Sequence, residues 1–251
     1  HHVTVGSNQT VTGSMTISGA NSLTMGAGNN LSHSGALDNN GSISGSFTLT
    51  GSSRAVNIGE VEDLIVSVSG TVSANANCSI SRLLRVDAGA TIDVTGYQAM
   101  LLADASRTAL VHDNGGVTLG DFTVQQHIKR TINTTNGTVS QPYANVFYGP
   151  PVNNPQISQM QQNTNILISG NANAFYYDES TGQWTPPSSF NDIMPPAQGW
   201  YQYAFINPTG NTWEFEGELN TGSISTPITS SAGGGWNIVS NPYPSPIDLQ
   251  S

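Results

Sequence analysis

From Val3 to Val94 the chain is a succession of apolar residues at i and i+2 with Thr, Ser or another polar residue between them, cut off every 6 to 12 positions by Gly, Asn or Ser. Val3-Thr4-Val5, Met15-Thr16-Ile17, Leu23-Thr24-Met25, Phe47-Thr48-Leu49, Val56-Asn57-Ile58, Val66-Ser67-Val68, Leu84-Arg85-Val86 and Ile92-Asp93-Val94 all have this form. Side chains alternate across a strand, so each triplet turns two apolar groups to one face, and no window here shows the 3.6-residue period of a helix. The region must stack many very short strands. A meander sandwich and a β-solenoid both do so.

Three observations select the solenoid. The strands are only three or four residues long. The motif Gly-Ser-x-Thr-x-Ser/Thr-Gly recurs at Gly13 to Gly19 and Gly45 to Gly51, and residues 1–120 contain just two aromatic residues, Phe47 and Tyr97. Narrow solenoid cores are filled with Val, Ile and Leu rather than rings. A coil of about 20 residues and a strand spacing of about 4.8 Å predict roughly six coils and a rod of about 30 Å.

Composition changes after Asp121. With Trp 4, Tyr 8 and Phe 7 in the chain, every aromatic residue but Phe47 and Tyr97 lies from Phe122 onward, and most of the prolines follow Gly149. The expected organisation is all-β: a solenoid (parallel β-helix-like) over 1–120, then a β-sandwich or jelly-roll-like domain over 121–251. Strands of the second domain read as Phe122–Val124, Ile166–Ile168, Ala174–Tyr177, Gly199–Tyr203, Thr212–Leu219 and Gly235–Val239. The connection from Ile132 to Asn165 is long, polar and Pro-rich, which predicts a surface loop. Near the end, Asn241-Pro242-Tyr243-Pro244-Ser245-Pro246 places three prolines around one tyrosine. Proline fixes its own φ and biases the preceding residue toward extended backbone, so this stretch reads as a rigid clamp with Trp236 and Tyr243 in the core.

Charge excludes several classes of function. Charged residues are 9% of the chain against roughly 25% in an average soluble domain, and the net charge is −10. All six basic residues, Arg54, Arg82, Arg85, Arg107, Lys129 and Arg130, precede position 131, and the remainder carries carboxylates and no Lys or Arg. Nucleic acid as a partner is excluded for want of a basic patch, and adhesion to anionic lipid is disfavoured for the same reason. No apolar run reaches the 18 residues of a membrane span, so no membrane insertion is expected. The lone Cys78 cannot form an internal disulfide and reads as a buried, inert thiol. His1-His2 reads as the remnant of a tag.

Several segments together resemble a known family. Leu83-Leu84-Arg85-Val86-Asp87-Ala88-Gly89-Ala90-Thr91-Ile92, Thr108 to His112 and Val117 to Ile128 resemble the repeat-rich body of surface proteins exported by the type IX secretion system of Bacteroidota. Tyr176-Tyr177-Asp178-Glu179, Trp184, Gly199-Trp200-Tyr201, Phe215 to Gly222 and Gly235 to Asp248 resemble the module that follows it in those proteins. The resemblance covers most of 70–250, and Trp236-Asn237-x-x-x-Asn241-Pro242-Tyr243-Pro244-Ser245 is its most specific part. It implies an extracellular or outer-surface protein, often large and multidomain, with an adhesive or glycan-related role, and does not imply an enzyme. No C-terminal sorting domain follows Asp248, so further domains of a longer chain are the expected partners.

Candidate sites follow from residue type. Tyr177, Trp184, Tyr201 and Tyr203 are the candidate strip for a polysaccharide or cell-surface glycan, because aromatic faces can stack on sugar rings; Tyr201 and Tyr203 share a strand face opposite Trp200, and Trp184 is placed in a Pro-rich loop. Glu214, Glu216 and Glu218 alternate with Trp213, Phe215 and Gly217, which puts carboxylates about 7 Å apart, within the range of an inverting glycosidase; alternation alone also produces a solvated face with its rings in the core, and that reading is preferred. Asp38-Asn39-Asn40 and Asp178-Glu179 offer the hard oxygens calcium takes, but turn formation is their preferred role, and no other cofactor is implied. His33, His112 and His127 lack metal-ligand spacing, and no catalytic residue is assigned. The function expected is that of a noncatalytic surface module, adhesin or stalk. The alternative is a glycan-binding accessory region of a polysaccharide-degrading protein; a β-helix lyase or hydrolase and, from the Thr-x-Ser/Thr rows, ice binding are more remote. End-to-end self-stacking through the His1 end is a further option.

Overall fold

Most of the short apolar triplets of the first hundred residues lie in strands, some of them merged into strands of 10 to 15 residues, while Val56-Asn57-Ile58 only ends one, and the strands wind into a three-sided parallel solenoid. The computed structural model describes residues 1–128, 143–205, 211–231 and 234–248. The first strands are β1 (His2–Val5), β2 (Gln9–Val11), β3 (Met15–Ile17), β4 (Ser22–Met25), β5 (Asn30–His33), β6 (Leu37–Asn39), β7 (Ser42–Val56), β8 (Glu60–Ala74) and β9 (Cys78–Asp87). They are followed by β10 (Ala90–Asp93), β11 (Ala99–Leu101), β12 (Leu110–Asn114), β13 (Val117–Leu119) and β14 (Phe122–Ile128). The chain divides into two compact units, His1–Ala103 with Arg107–Val124, and Asp104–Ser106 with Gln125–Ser251.

The solenoid has about six turns. On its first side β1, β4 and the starts of β7, β8 and β9 are followed by β11 and β14. The register His2↔Ser22, Ser22↔Ser42, Ser42↔Glu60, Glu60↔Ser79, Cys78↔Ala99 and Ala99↔Phe122 gives coil steps of 20, 20, 18, 19, 21 and 23 residues. The second side stacks β2, β5, the middle of β7 and β8, the end of β9 and β12. The third side joins β3 to β6, β6 to Asn57 through a bridge, and the ends of β7 and β8 to β10 and β13. β7 and β8 are long because they run through corners without leaving the ladder. His2 opens β1, paired with Ser22 in the register and hydrogen-bonded to its hydroxyl.

Inward residues from the three sides meet in one narrow core. Ile43, Phe47, Leu49, Val56, Ile58, Val61, Leu64, Val66, Val72, Ile80, Leu84 and Ile92 are completely or almost completely buried. Each contributes about 1.5–3 kcal/mol from its removal from water. Where a polar group goes inside it is paired. Asn39, buried at a corner, donates through Nδ2 to Ile58 O at 2.7 Å and accepts from Gly41 N at 3.1 Å, which links its coil to the next. Gly59 follows on that next coil at φ +62°, where an added Cβ would lie 2.1 Å from Asn39 O, so only glycine fits.

The four described arginines are each engaged within the solenoid. Arg54 donates to Thr50 O, Ser52 O and His33 O. Arg82 pairs with Asp63, Arg85 Nε lies 2.9 Å from Asp87 Oδ1, and Arg107 Nη1 lies 3.0 Å from Glu62 Oε1. Lys129 and Arg130 lie outside the described residues.

The second unit contains β15 (Tyr143–Tyr148), α1 (Ile157–Thr164), β16 (Ala174–Asp178), β17 (Gln183–Thr185), β18 (Trp200–Phe205) and β19 (Asn211–Gly217). Four strands form an antiparallel sheet in the order β15-β18-β16-β17. β19 lies beside the Gln125–Ile128 part of β14, where Gln125 Nε2 donates to Glu214 Oε1 at 2.9 Å. Tyr148 packs edge-on against Trp213, with ring centroids 5.0 Å apart, and so joins the inner face of the sheet to the inner face of β19.

Three expectations fail here. Ile166–Ile168 is not a strand, although Ile166 is buried. The stretch 132–165 is not a continuous loop, since it holds β15 and α1; Gln156 and Gln159 cap the helix, Gln156 N donating to Gln159 Oε1 at 2.7 Å, and Ile157 and Met160 bury its inner face. Gly235–Val239 makes one antiparallel bridge, Gln198↔Val239, flanked by Gly199 N to Ile238 O and Ser240 N to Ala197 O, and is otherwise coil.

Candidate functional site

Alternation along β18 sorts its residues into two faces. Trp200, at 2% exposure, Gln202 and Ala204 point inward, and Tyr201, Tyr203 and Phe205 point outward. The strand register then brings other rings beside Tyr201. Phe147 on β15 and Phe175 on β16 are both its cross-strand partners, and Tyr177 on β16 is opposite Trp184 on β17. Centroid separations from Tyr201 are 5.4 Å to Phe147, 5.4 Å to Trp184 and 6.1 Å to Phe175, and Tyr177 lies 5.6 Å from Trp184. Five rings from four strands thus form one contiguous outer surface centred on Tyr201.

This surface is accessible. Phe147 is 63% exposed, Trp184 44% and Tyr203 43%. The Tyr201 hydroxyl donates to Asn145 Oδ1 at 2.8 Å, which sets a hydroxyl and a carboxamide at the border of the rings. Tyr203 lies opposite Asn145 in the register and continues the face beyond it, about 7 Å from Tyr201 along the strand. Rings in this setting present apolar faces bearing partial negative charge together with a few orienting polar groups.

All four sequence-predicted residues therefore lie on one face: Tyr177, Trp184 and Tyr201 in mutual ring contact through Trp184, and Tyr203 alongside. Trp184 reaches it from β17, an edge strand, not from the expected loop. Phe147, Phe175 and Asn145 were not anticipated. Phe175 has the same parity as Tyr177 within one strand and could have been assigned by it. Phe147 sits in Asn145-Val146-Phe147-Tyr148, a short alternating run masked by the polar, Pro-rich sequence around it.

The remaining candidates lie in turns, in the core or on the side of a strand opposite its buried rings. Trp213 and Phe215 are fully buried, while Glu214, Glu216 and Glu218 line the other side of the chain, the arrangement expected of a solvated face. Asp178 closes a turn by accepting from Ser180 N and Ser180 Oγ. Glu179 is buried: its Oε1 accepts from Ser231 N at 2.6 Å and Gly235 N at 3.1 Å and its Oε2 from Ser231 Oγ at 2.6 Å, and these bonds, led by the Ser231 hydroxyl, bring its pKa down to about 2. Asn40 and Asn57 both bind Asp38, as in a corner ladder. Among the described residues no group of three His, Cys, Asp or Glu converges to hold a metal ion. Cys78 is buried, and burial pushes its thiol up to about 11. His33 is buried in the solenoid core with Nε2 on Gly13 O, and burial lowers its pKa.

The Pro-rich clamp is held by its polar residues. Asn237 exchanges two hydrogen bonds with Thr229, Asn241 spans Tyr243 N and Ser245 O, Asn220 donates to Pro242 O at 2.6 Å, and the Tyr243 hydroxyl donates to Gly222 O. Trp236 is not in the core as expected: it is 76% exposed and directly follows Gly234 and Gly235, both at positive φ.

Fold and site together describe an all-β chain with a β-solenoid and an antiparallel sheet that bears an aromatic outer face. Comparison with family models, with curated proteins and with solved structures finds no match.

Proposed function

We propose that this chain is a noncatalytic module of an extracellular, cell-surface protein, in which the antiparallel sheet binds a polysaccharide or cell-surface glycan and the solenoid serves as a stalk. The observation that carries the reading is the accessible cluster of Phe147, Phe175, Tyr177, Trp184 and Tyr201. Contiguous exposed apolar patches rimmed by polar groups are characteristic of binding surfaces. The polar, weakly charged composition and the resemblance of Gly235–Asp248 to modules of type IX-secreted proteins support the outer cell surface as its location. The engagement of Arg54, Arg82, Arg85 and Arg107 in structural pairs supports a module without nucleic-acid contacts.

The accessory-region alternative uses the same face and differs in what the rest of the longer chain carries. Ice binding draws less support. The outward row of the second side runs Thr10, Ser32, Thr48 and then Ile65, Arg85 and His112, so its hydroxyl pattern stops halfway.

Tryptophan fluorescence titrated with a panel of polysaccharides tests the reading. A saturable change with at least one polymer, abolished in Tyr201→Ala, is expected. No change with any polymer, together with unaltered attachment of the parent cell after deletion of this region, would contradict it.

A further inference from the structure

We infer that the occupant of the aromatic face is a single, soluble, uncharged polysaccharide chain, an inference that rests on the glycan-binding reading above. Two independent observations carry it.

The first is charge. The described polar residues that the register places on this face, Tyr177, Tyr201, Tyr203 and Asn145, are of uncharged types. After Arg130 the sequence has no Lys or Arg but holds Asp178, Glu179, Asp192, Glu214, Glu216, Glu218 and Asp248. A chain of uronate or sulfated sugars would bring negative charge to a region rich in carboxylates, with no Lys or Arg among the described residues of the face. Such juxtaposition disfavours association and slows encounter. An uncharged chain meets neither obstacle.

The second is the tilt of the rings. Relative to Tyr201, Trp184 is inclined by 54° and Phe147 by 48°; Phe147 and Trp184 are inclined by 52° to each other, and Tyr177 and Trp184 by 70°. Phe175 comes nearer to parallel with Tyr201, at 28°. The flat face of a crystalline polymer lies flush only on coplanar rings, and here it would touch edges. A lone chain can turn about its glycosidic bonds, so successive sugars can each present their C–H groups to a differently inclined ring, where the negative aromatic face attracts them. The Tyr201 hydroxyl already donates to Asn145, which leaves its oxygen oriented to accept from a sugar hydroxyl.

Affinity electrophoresis of the whole chain in gels cast with hydroxyethylcellulose, glucomannan, arabinoxylan, alginate or polygalacturonate, with sedimentation on microcrystalline cellulose, separates the outcomes. Retardation by at least one neutral soluble polymer is expected, insensitive to added salt, with affinity lowered about tenfold in Trp184→Ala and in Phe147→Ala, the second being a highly exposed residue whose loss leaves the fold intact. Retention only by alginate or polygalacturonate, or only by microcrystalline cellulose, would overturn this inference while leaving a glycan-binding face. No interaction with any polymer, or binding unaltered in both variants, would overturn both readings. So would a concentration-dependent dimer in light scattering that Phe147→Ala abolishes, since the face would then belong to a second copy of the chain.

Discussion

Glu179 shows how much a single side chain does in the second unit. Its carboxylate ties Ser231 and Gly235, more than fifty residues away in sequence, to the end of β16. Its ordinary pKa of 4.5 is brought down to about 2 in the folded chain. Above pH 4.5 it is ionised in both states and its contribution is fully present; below, the unfolded chain takes up the proton first, so stability is lost as pH falls from 4.5 toward 2. Thermal melts across this window should show a falling Tm in the native protein. Glu179→Gln should melt lower at neutral pH and lose that part of the acid dependence, because an amide cannot accept the same set of bonds. Sequence reading took Asp178-Glu179 as one turn-forming pair. That is right for Asp178, whose partners are two residues away, and blind for Glu179, whose partners are distant. Trp236 is a similar case: its place in an apolar run reads as core, but Trp236 is 76% exposed and Val239 56%.

At the level of elements, what was legible depended on whether the signal was local. The solenoid strands were, because period 2 and turn residues are properties of adjacent positions. The coil was only partly legible: Gly13–Gly19 contains β3 on the third side, whereas Gly45–Gly51 falls within β7 on the second, so the recurring motif marks neither one fixed side nor the repeat of the coil. α1 escaped notice because glutamines cap it where Ser, Thr, Asp or Asn would announce a helix start, and β15 because prolines and polar residues surround it. Corners carry their own constraint. Gly59→Ala adds a Cβ 2.1 Å from Asn39 O at a φ of +62° and should destabilise the solenoid by about 1–3 kcal/mol, read from urea unfolding; an exposed glycine such as Gly89, whose Cβ would meet nothing within 4 Å, should cost less.

For the whole chain, the sequence disclosed an all-β protein with a solenoid near its start and a change of character toward aromatic residues later. It also disclosed four of the rings on the candidate face. It did not disclose that they converge, because convergence depends on the pairing β15-β18-β16-β17, which joins strands whose order in space differs from their order in sequence. The proposed function rests on that convergence, and the exposed tryptophans offer a direct way to test it. Trp184 belongs to the ring cluster, whereas Trp236, more exposed still, forms part of the C-terminal coil. Affinity electrophoresis of Trp184→Ala and Trp236→Ala beside the native chain, in the polysaccharide gel that retards it most, measures which surface binds. The account predicts that Trp184→Ala is retarded far less than the native chain, in keeping with an about tenfold loss of affinity, and that Trp236→Ala is retarded as strongly as the native chain; full retention of Trp184→Ala with release of Trp236→Ala would contradict it.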